Sequence, residues 1–363
     1  MADMEQNTLF SVQPVAGKGN GVVATAKITK GTRILAESPF ISLPRVDDAP
    51  SAKSLNDDVL KQLRSASRDQ QRAFFSLTNI HGKHLPIPLG IVQTNALAYG
   101  PGSEGGVFLT GSQFNHACLP SAISKWNREL GKMTVHALCD IEPGEEITIT
   151  YIQLETSNVR KAQLENNFQF TCNCEICTLP EDMRKELDAD IKDIKAIGNF
   201  LKSNSLPLEV GLWFAYRHRY LIESNGLDQA HVPDTYDFAA KLAAVHKDFT
   251  RAKIFCERQL DIAMIDGGPD HPDTQAQRDM AGYLESALQH HTGPTVPHHF
   301  SRIQLEDWLW MLHLPDSPHG ESSEDDKQDA SDGEGDDSSS DPDREVWSED
   351  EDGNMAFNVE ALD

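Results

Sequence analysis

One short stretch decides the fold of this chain: Cys172-Asn-Cys-Glu-Ile-Cys177 holds three of its six cysteines. The spacing C-x-C-x-x-C brings three thiolates within reach of one small cation. Structural zinc takes four ligands in a tetrahedron, so this run is one ligand short. A run of this kind would also suit a redox or iron–sulfur site, but the sequence favours zinc with a fourth ligand from elsewhere in the chain.

The candidate fourth ligand is Cys118, in the motif Asn115-His-Ala-Cys-Leu-Pro120. Cys139 and Cys256 are its competitors, and both lie in apolar patterns. A lone cysteine in such a pattern is more often a small buried hydrophobic residue than a metal ligand. Cys118 is therefore the preferred ligand.

Length and charge limit the possible functions. The chain has 363 residues and a net charge of −25, of which −17 lies between Asp316 and Asp363. The length allows two domains and a tail, and the acidic balance does not favour tight or sequence-specific nucleic-acid binding.

We expect no secretion signal and no membrane span, since no charged and apolar leader and no long apolar run is present. The cysteine usage favours metal thiolates in a reducing compartment over disulfides.

The first half of the chain is predicted to be mixed. Residues Leu9–Arg45 are expected to form short strands, a long helical stretch covers Lys53–His81, and a short helix lies near Gly90–Ala98. The clearest predicted strands are Val22–Ala26, Thr32–Glu37, Lys132–Leu138 and Ile147–Ile152.

From Glu181 onward the apolar spacing is helical. One apolar stripe is formed by Leu187, Ile191, Ile194, Ile197 and Leu201. A helix pair is predicted over Tyr236–Val245 and Thr250–Ile265, and at most one or two degenerate tetratricopeptide-like units fit.

The acidic segment from residue 316 to residue 363 should be disordered. Its serines would suit an acidophilic kinase, but a solubilising tail is the favoured interpretation.

Several motifs together resemble the SET-domain family of protein lysine methyltransferases. Each motif alone is modest, and their order and spacing make the resemblance specific. They are Gly17-Lys-Gly-Asn-Gly-Val22, Thr94-Asn95, Asn115-His-x-Cys-x-Pro120, Gly144-Glu-Glu-Ile-Thr-x-x-Tyr151, Arg160-x-x-x-Leu164 and Phe170-x-Cys-x-Cys-x-x-Cys177. The helical parts resemble the SET and MYND branch, although the MYND zinc finger is missing because residues 45–95 contain no cysteine.

The resemblance implies an α+β fold with a β-rich SET domain of several small sheets over residues 9–179. It implies a helical insert at about 46–92 and a zinc-binding post-SET segment at 168–179. An α-helical, tetratricopeptide-like domain would follow over 181–314, and the acidic tail over 316–363.

The resemblance also assigns roles to individual residues. The residues that match contacts to the cofactor S-adenosyl-L-methionine are Lys18, Gly19, Asn20, Gly21, Asn95, Asn115, His116 and Phe170. Taken alone, the glycines would be an ordinary hairpin turn, Asn115-His116 a capped turn, and Phe170 a core residue. The predicted ligands of a structural zinc are Cys118, Cys172, Cys174 and Cys177. That ion would hold the C-terminal segment over the cofactor.

Tyr151 matches the catalytic tyrosine of the family. A free lysine has a pKa of about 10.4. A dry channel beside a sulfonium would lower that pKa, so the neutral amine forms without a strong base and alignment of the reacting atoms matters more.

Three residues depart from the family pattern. Ser121 replaces an asparagine and weakens a turn hydrogen bond, Ala117 replaces a small hydroxyl residue, and Phe168 replaces a tyrosine, which removes a hydroxyl from the lysine channel.

These observations predict an S-adenosylmethionine-dependent methyltransferase acting on a lysine of a protein or peptide, either a histone or a non-histone protein. The alternative is a catalytically silent SET-like scaffold that binds basic partners, and methylation of a non-protein amine is a third, weaker hypothesis. We expect a monomer that works in the nucleus, the cytoplasm or both.

Overall fold

The computed structural model describes residues 9–43, 51–99, 104–203, 206–227, 235–290, 294, 296, 300–312, 347–349 and 355–357. The chain forms two compact units, Met1–Met311 and Leu312–Asp363. The described residues contain small β-sheets and a series of helices, which confirms the α+β class.

The strands of the first unit lie between residues 10 and 149. They are β1 (Phe10–Val15), β2 (Gly19–Ala24), β3 (Arg33–Glu37), β4 (Ile41–Leu43), β5 (Leu97–Tyr99), β6 (Glu104–Val107), β7 (Asn115–His116), β8 (Ala122–Asn127), β9 (Lys132–Ala137) and β10 (Glu146–Ile149). They form three sheets in the strand orders β1-β2-β10-β7, β3-β9-β8 and β4-β6-β5. A shared apolar core that includes Val22, Phe108, Val135 and Ile147 packs between the first two sheets.

The helices lie partly within this β-rich region and mostly after it. They are α1 (Ala52–Ser65), α2 (Arg68–Phe75), α3 (Ile87–Asn95), α4 (Ser157–Phe168), α5 (Glu181–Ser203), α6 (Leu208–Ser224), α7 (Thr235–Val245), α8 (Phe249–Gly267), α9 (Pro272–His290) and α10 (Arg302–Trp310). None of these described helices has a stretch apolar and long enough to cross a bilayer.

Strand β10 determines where the site forms. It pairs with β2 in the antiparallel sense on one side and with β7 in the parallel sense on the other. The parallel register sets Asn115 opposite Thr148 and His116 opposite Ile149. The β1–β2 hairpin, the Asn115-His116 pair and the segment that ends at Tyr151 are therefore neighbours in space.

The helical insert differs from its prediction. The single helical stretch expected over Lys53–His81 is two helices, α1 and α2, separated at Ala66 and Ser67. Ser67 caps α2 by accepting from the Gln70 backbone N–H, while the Gln70 side chain accepts from the Ser67 backbone N–H. This capping box begins a new helix without any glycine or proline, so a search for breakers missed it.

Two predicted boundaries also shift. The short helix expected at Gly90–Ala98 is α3, which begins at Ile87 after Pro86 and ends at Asn95. The strand expected at Ile147–Ile152 ends at Ile149. The chain leaves the sheet there, because the Tyr151 backbone N–H bonds to a histidine side chain and not to a neighbouring strand.

The helical part after residue 180 packs in sequence order. All five members of the predicted apolar stripe on α5 are buried, which confirms that prediction. The predicted helix pair is present as α7 and α8, and α8 also packs on β8 and β9. Polar contacts join the loop after α8 to the sheet, since the Asn127 amide donates to the carbonyl of Asp270 (3.0 Å) and Arg33 pairs with the Asp270 carboxylate.

The second unit is described at two short strands, β11 (Trp347–Glu349) and β12 (Met355–Phe357), which pair with each other in the antiparallel sense. These strands were not predicted. The rest of residues 316–363 lies outside the described residues, and disorder there stays a prediction.

Candidate active site

The four cysteines predicted as metal ligands lie together. Their Sγ atoms are all within 4.8 Å of one another, and those of Cys118 and Cys177 are 3.6 Å apart. Cys118 is buried in the loop after β7, while Cys172, Cys174 and Cys177 lie in the loop after α4. Zinc–sulfur bonds of about 2.3 Å in a tetrahedron need sulfurs about 3.8 Å apart, so these residues fit a zinc ion.

Close packing shifts the acidity of these thiols in opposite directions. Hydrogen bonding with Cys118 lowers the pKa of Cys177 to about 7. Hydrogen bonds with the other three thiols, led by that with Cys172, raise the pKa of Cys118. Four thiols at this distance cannot all ionise unless a cation offsets their charge, and a divalent metal such as zinc would supply that charge.

His116 connects the cysteine cluster to the next part of the site. Its Nδ1 accepts a hydrogen bond from the Tyr151 backbone N–H (3.0 Å), so the ring proton lies on Nε2. Nε2 is 3.4 Å from Sγ of Cys118. Burial lowers the pKa of His116 to about 4, so the imidazole is neutral at pH 7. The ring therefore donates to a candidate metal ligand with one nitrogen and accepts from the chain with the other.

The side chain of Tyr151 lies among aromatic rings. Its ring centroid is 5.3 Å from that of His116, 5.0 Å from that of Phe168 and 6.5 Å from that of Phe170. Its hydroxyl donates to the carbonyl of Phe114 (2.6 Å). Burial, followed by the nearby charge of Glu146, raises the pKa of Tyr151. The phenol is therefore neutral at physiological pH, with its proton held and its oxygen lone pairs available as acceptors.

A polar corner lies beside these rings. The Asn115 amide nitrogen donates to the carbonyl of Asn20 (3.0 Å) and to the carboxylate of Glu146 (2.8 Å). The Lys18 ammonium pairs with the other oxygen of Glu146 (2.6 Å). Because two acceptors orient the Asn115 nitrogen, its amide oxygen is left to bind a donor.

Gly21 allows this corner to close. A Cβ atom at this position would lie 2.7 Å from Nδ2 of Asn115 and 2.9 Å from Oε1 of Glu146, which is closer than any real contact. Only glycine lets the β1–β2 hairpin lie against the Asn115 side chain. A cation, a free amide oxygen and an aromatic wall in one place fit the carboxylate, ammonium and base of S-adenosylmethionine.

Asn95 occupies a different setting. Both donors of its amide are used within the insert, by the carbonyls of Thr78 (2.6 Å) and Ile91 (2.7 Å). The main-chain carbonyl of Asn95 accepts a hydrogen bond from the hydroxyl of Ser112 (2.9 Å), which lies shortly before β7. Among the described contacts, none joins the Asn95 side chain to the other predicted site residues.

Ser121, which departs from the family pattern, is well bonded. Its N–H donates to the hydroxyl of Thr148 (3.2 Å), and its hydroxyl accepts from the N–H of Thr148 (3.0 Å). This reciprocal pair ties the turn after Cys118 to β10, so the shorter side chain still holds the turn.

Comparisons with known proteins identify the family of this chain. The family profile described as "SET domain" matches residues 19–152. The histone-lysine N-methyltransferase set5 of Schizosaccharomyces pombe is 31% identical over 329 residues, which cover 87% of this chain and 98% of that protein. The chain belongs to the SET-domain family. It is a protein-lysine methyltransferase by that membership, and SET methyltransferases use S-adenosylmethionine.

Other SET-domain relatives match shorter parts. The N-lysine methyltransferase SMYD2 of Gallus gallus is 36% identical over 20% of this chain and 16% of that protein. The protein-lysine N-trimethyltransferase SMYD5 of Homo sapiens is 38% identical over 21% of this chain and 19% of that protein. A solved structure, the SET domain of LSMT bound to lysine and AdoHcy, is 13% identical with a TM-score of 0.34 over 78% of this chain and 88% of that one.

Residues of this SET domain that the sequence interpretation left without a role are Glu146, Phe114 and Arg160. Glu146 lies inside a quoted motif, yet only the structure shows that it binds both Asn115 and Lys18. Phe114 contributes a backbone carbonyl, and no side-chain pattern indicates such a role. Arg160 was noted for its spacing alone, although it is buried beside Cys177.

Proposed function

We propose that this SET domain uses Tyr151 to align a protein lysine for methyl transfer. The observation that carries the proposal is the environment of the Tyr151 hydroxyl. Its proton is donated to Phe114, so its oxygen can accept from the incoming amine but does not act as a strong base. Bound S-adenosylmethionine supplies the methyl group from its sulfonium.

The aromatic rings define the approach of the lysine. Tyr151, Phe168 and Phe170 form an apolar group that suits the aliphatic stem of a lysine. An apolar channel disfavours the ammonium form, so the pKa of the lysine falls and the neutral amine is more populated. Correct alignment of a neutral amine with the reacting atoms supplies much of the rate enhancement.

The polar corner would hold the amino-acid part of the cofactor. Lys18, which pairs with Glu146 in this structure, would turn to the carboxylate of the cofactor, and the free oxygen of Asn115 would accept from its ammonium. Gly19, Asn20 and Gly21 keep the hairpin close, and the rings of His116 and Phe170, 6.0 Å apart, offer an apolar wall for the adenine. Asn95 would contribute through its remaining amide oxygen.

The four cysteines would hold a structural zinc in the post-SET segment. Such an ion would join the loop after β7 to the loop after α4, and so fix Phe170 beside His116. Zinc binding to four thiolates contributes directly to folding free energy. Its loss should therefore disturb the cofactor wall as well as the fold.

The substrate, the oligomeric state and the cellular location belong to the same proposal. A histone is a suitable substrate because set5 of Schizosaccharomyces pombe is named a histone-lysine methyltransferase and because an acidic chain attracts basic tails. We propose a monomer without sequence-specific nucleic-acid binding, active in the nucleus, the cytoplasm or both. The helices after residue 180 would form a tetratricopeptide-like wall of the peptide groove.

The first test is cofactor binding. Purified zinc-loaded protein should bind S-adenosylmethionine and S-adenosylhomocysteine in calorimetry, and Asn115→Ala should weaken both. Folded wild-type protein that binds neither would exclude methyl transfer. Function with a basic partner in cells that survives both Asn115→Ala and Tyr151→Phe would favour the silent scaffold.

A further inference from the structure

Arg160 is one of the largest fully buried side chains in the described residues, with 1% of its surface exposed. It lies in the first turn of α4, where its Nη1 donates to the carbonyl of Glu155. Its Nη2 lies 3.9 Å from Sγ of Cys177, within reach of a hydrogen bond to sulfur. Its Nε has no hydrogen-bond partner. A permanent cation is thus buried against the cysteine cluster.

The negative charge that balances this cation must be nearby. Burying an unpaired charge is strongly unfavourable, so buried charges are normally paired. Within the described parts of the chain, no carboxylate forms an ion pair with Arg160, and its polar contacts are the Glu155 carbonyl and Cys177. The thiolates of the cluster are the remaining source of negative charge.

We propose that Arg160 is a positioning residue for the metal site, which offsets the charge of the thiolates and holds Cys177 in place. This inference rests on the proposed zinc site. Four thiolates around a divalent zinc leave two negative charges uncompensated, and a guanidinium at Cys177 reduces that excess.

The other described donors to the cluster are neutral. Nε2 of His116 lies 3.4 Å from the sulfur of Cys118, and the N–H of Cys174 donates to the sulfur of Cys172 (3.5 Å). Groups that form hydrogen bonds to metal ligands orient those ligands and tune the affinity of the site for its metal. Arg160 is the charged member of this set, and it links the start of α4 to the loop that follows the same helix.

The test measures zinc affinity separately from activity. Full-length wild type, Arg160→Met and Arg160→Lys would be loaded with Zn²⁺ and titrated with a chelator of known affinity. Arg160→Met keeps much of the side-chain volume without the charge, and we expect it to bind zinc about 10-fold to 100-fold more weakly. Arg160→Lys keeps the charge and should recover part of that loss.

Leu164→Ala separates charge from packing. Leu164 is buried one turn further along α4, so this variant destabilises the same helix without removing a charge. It should lower the melting temperature and keep wild-type zinc affinity. Cobalt-loaded protein should show thiolate-to-metal bands of a four-cysteine site in every variant, so that all variants are compared at the same site.

The outcomes are distinct. Wild type that binds zinc tightly, with Arg160→Met unchanged in affinity, would overturn the role of Arg160 and leave the zinc site standing. Equal losses of affinity in Arg160→Met and Leu164→Ala would assign the effect to helix packing and overturn the inference. Folded wild type that binds neither Zn²⁺ nor Co²⁺ would overturn the zinc site itself.

Discussion

The backbone N–H of Tyr151 donates to Nδ1 of His116 (3.0 Å), and the other nitrogen of that ring faces Sγ of Cys118 (3.4 Å). One neutral imidazole thus links the predicted catalytic residue to a predicted metal ligand. A hydrogen bond at each nitrogen fixes both the tautomer and the orientation of the ring. A change at the cysteines is therefore expected to reach Tyr151 through a single side chain.

Removal of the metal should abolish methyl transfer and destabilise the protein. Cys177→Ser breaks the four-sulfur set, so we expect loss of bound zinc, a lower melting temperature and no detectable activity. Zinc content by elemental analysis and thermal unfolding measure these effects. Cys139→Ser is the matched control, because Cys139 lies outside the cluster and should keep full zinc content. Wild-type activity after zinc has been stripped would contradict this prediction.

Gly21→Ala should weaken cofactor binding. The added methyl group would press on Asn115 and Glu146, and displacement of the Asn115 amide removes a hydrogen bond to the ligand. The loss of one such bond should raise the dissociation constant of S-adenosylmethionine by about tenfold. Gly282→Ala, which adds a methyl group in open space on α9, should leave that constant unchanged. Equal affinities in the two variants would refute the close approach at Gly21.

Phe168→Tyr should reduce the number of methyl groups transferred. The Phe168 ring lies 5.0 Å from that of Tyr151, so a new hydroxyl would project into the proposed lysine channel and restrict rotation of a methylated amine. Mass spectrometry of one substrate lysine should show a shift toward lower methylation states. An unchanged distribution would place Phe168 outside the channel.

Stability should fall as the pH falls from about 6.5 to about 4. Burial lowers the pKa of His136 to about 4, and its Nε2 accepts from Nε of Arg33 (3.1 Å), which the protonated ring could not do. Because the unfolded chain binds this proton more readily, acid favours unfolding, by up to about 3 kcal/mol from this residue.

Thermal unfolding as a function of pH measures this effect. His136→Gln keeps an acceptor but cannot titrate, so its stability should depend less on pH in this window. The same slope in His136→Gln and wild type would contradict the prediction. His218, whose pKa burial also lowers to about 4, should account for part of the remaining slope.

The sequence predicted those parts of the fold that depend on spacing. Regular apolar positions predicted α5 correctly, and the combined motifs indicated the SET domain because their order is specific. The proximity of Cys118 to the cysteine run followed from the same motifs. The split between α1 and α2 was missed because a capping box at Ser67 begins a helix without a breaker.

Contacts between distant segments could not be predicted from spacing. Glu146 and Lys18 are 128 positions apart, and nothing local indicates that they pair. The use of both Asn95 donors by backbone carbonyls depends on how the insert folds back. Arg160 has no local sign of burial, since an arginine on a helix is usually exposed.

The most direct measurement of the central claim is transfer of a labelled methyl group from S-adenosylmethionine to cell-extract proteins and to histones, followed by mass spectrometry of the labelled residues. Wild type should label lysine side chains. Tyr151→Phe should lose about 100-fold to 1,000-fold of that rate while it keeps cofactor binding and zinc content. Absence of lysine labelling by folded, cofactor-bound wild type, or an unchanged rate in Tyr151→Phe, would contradict the account.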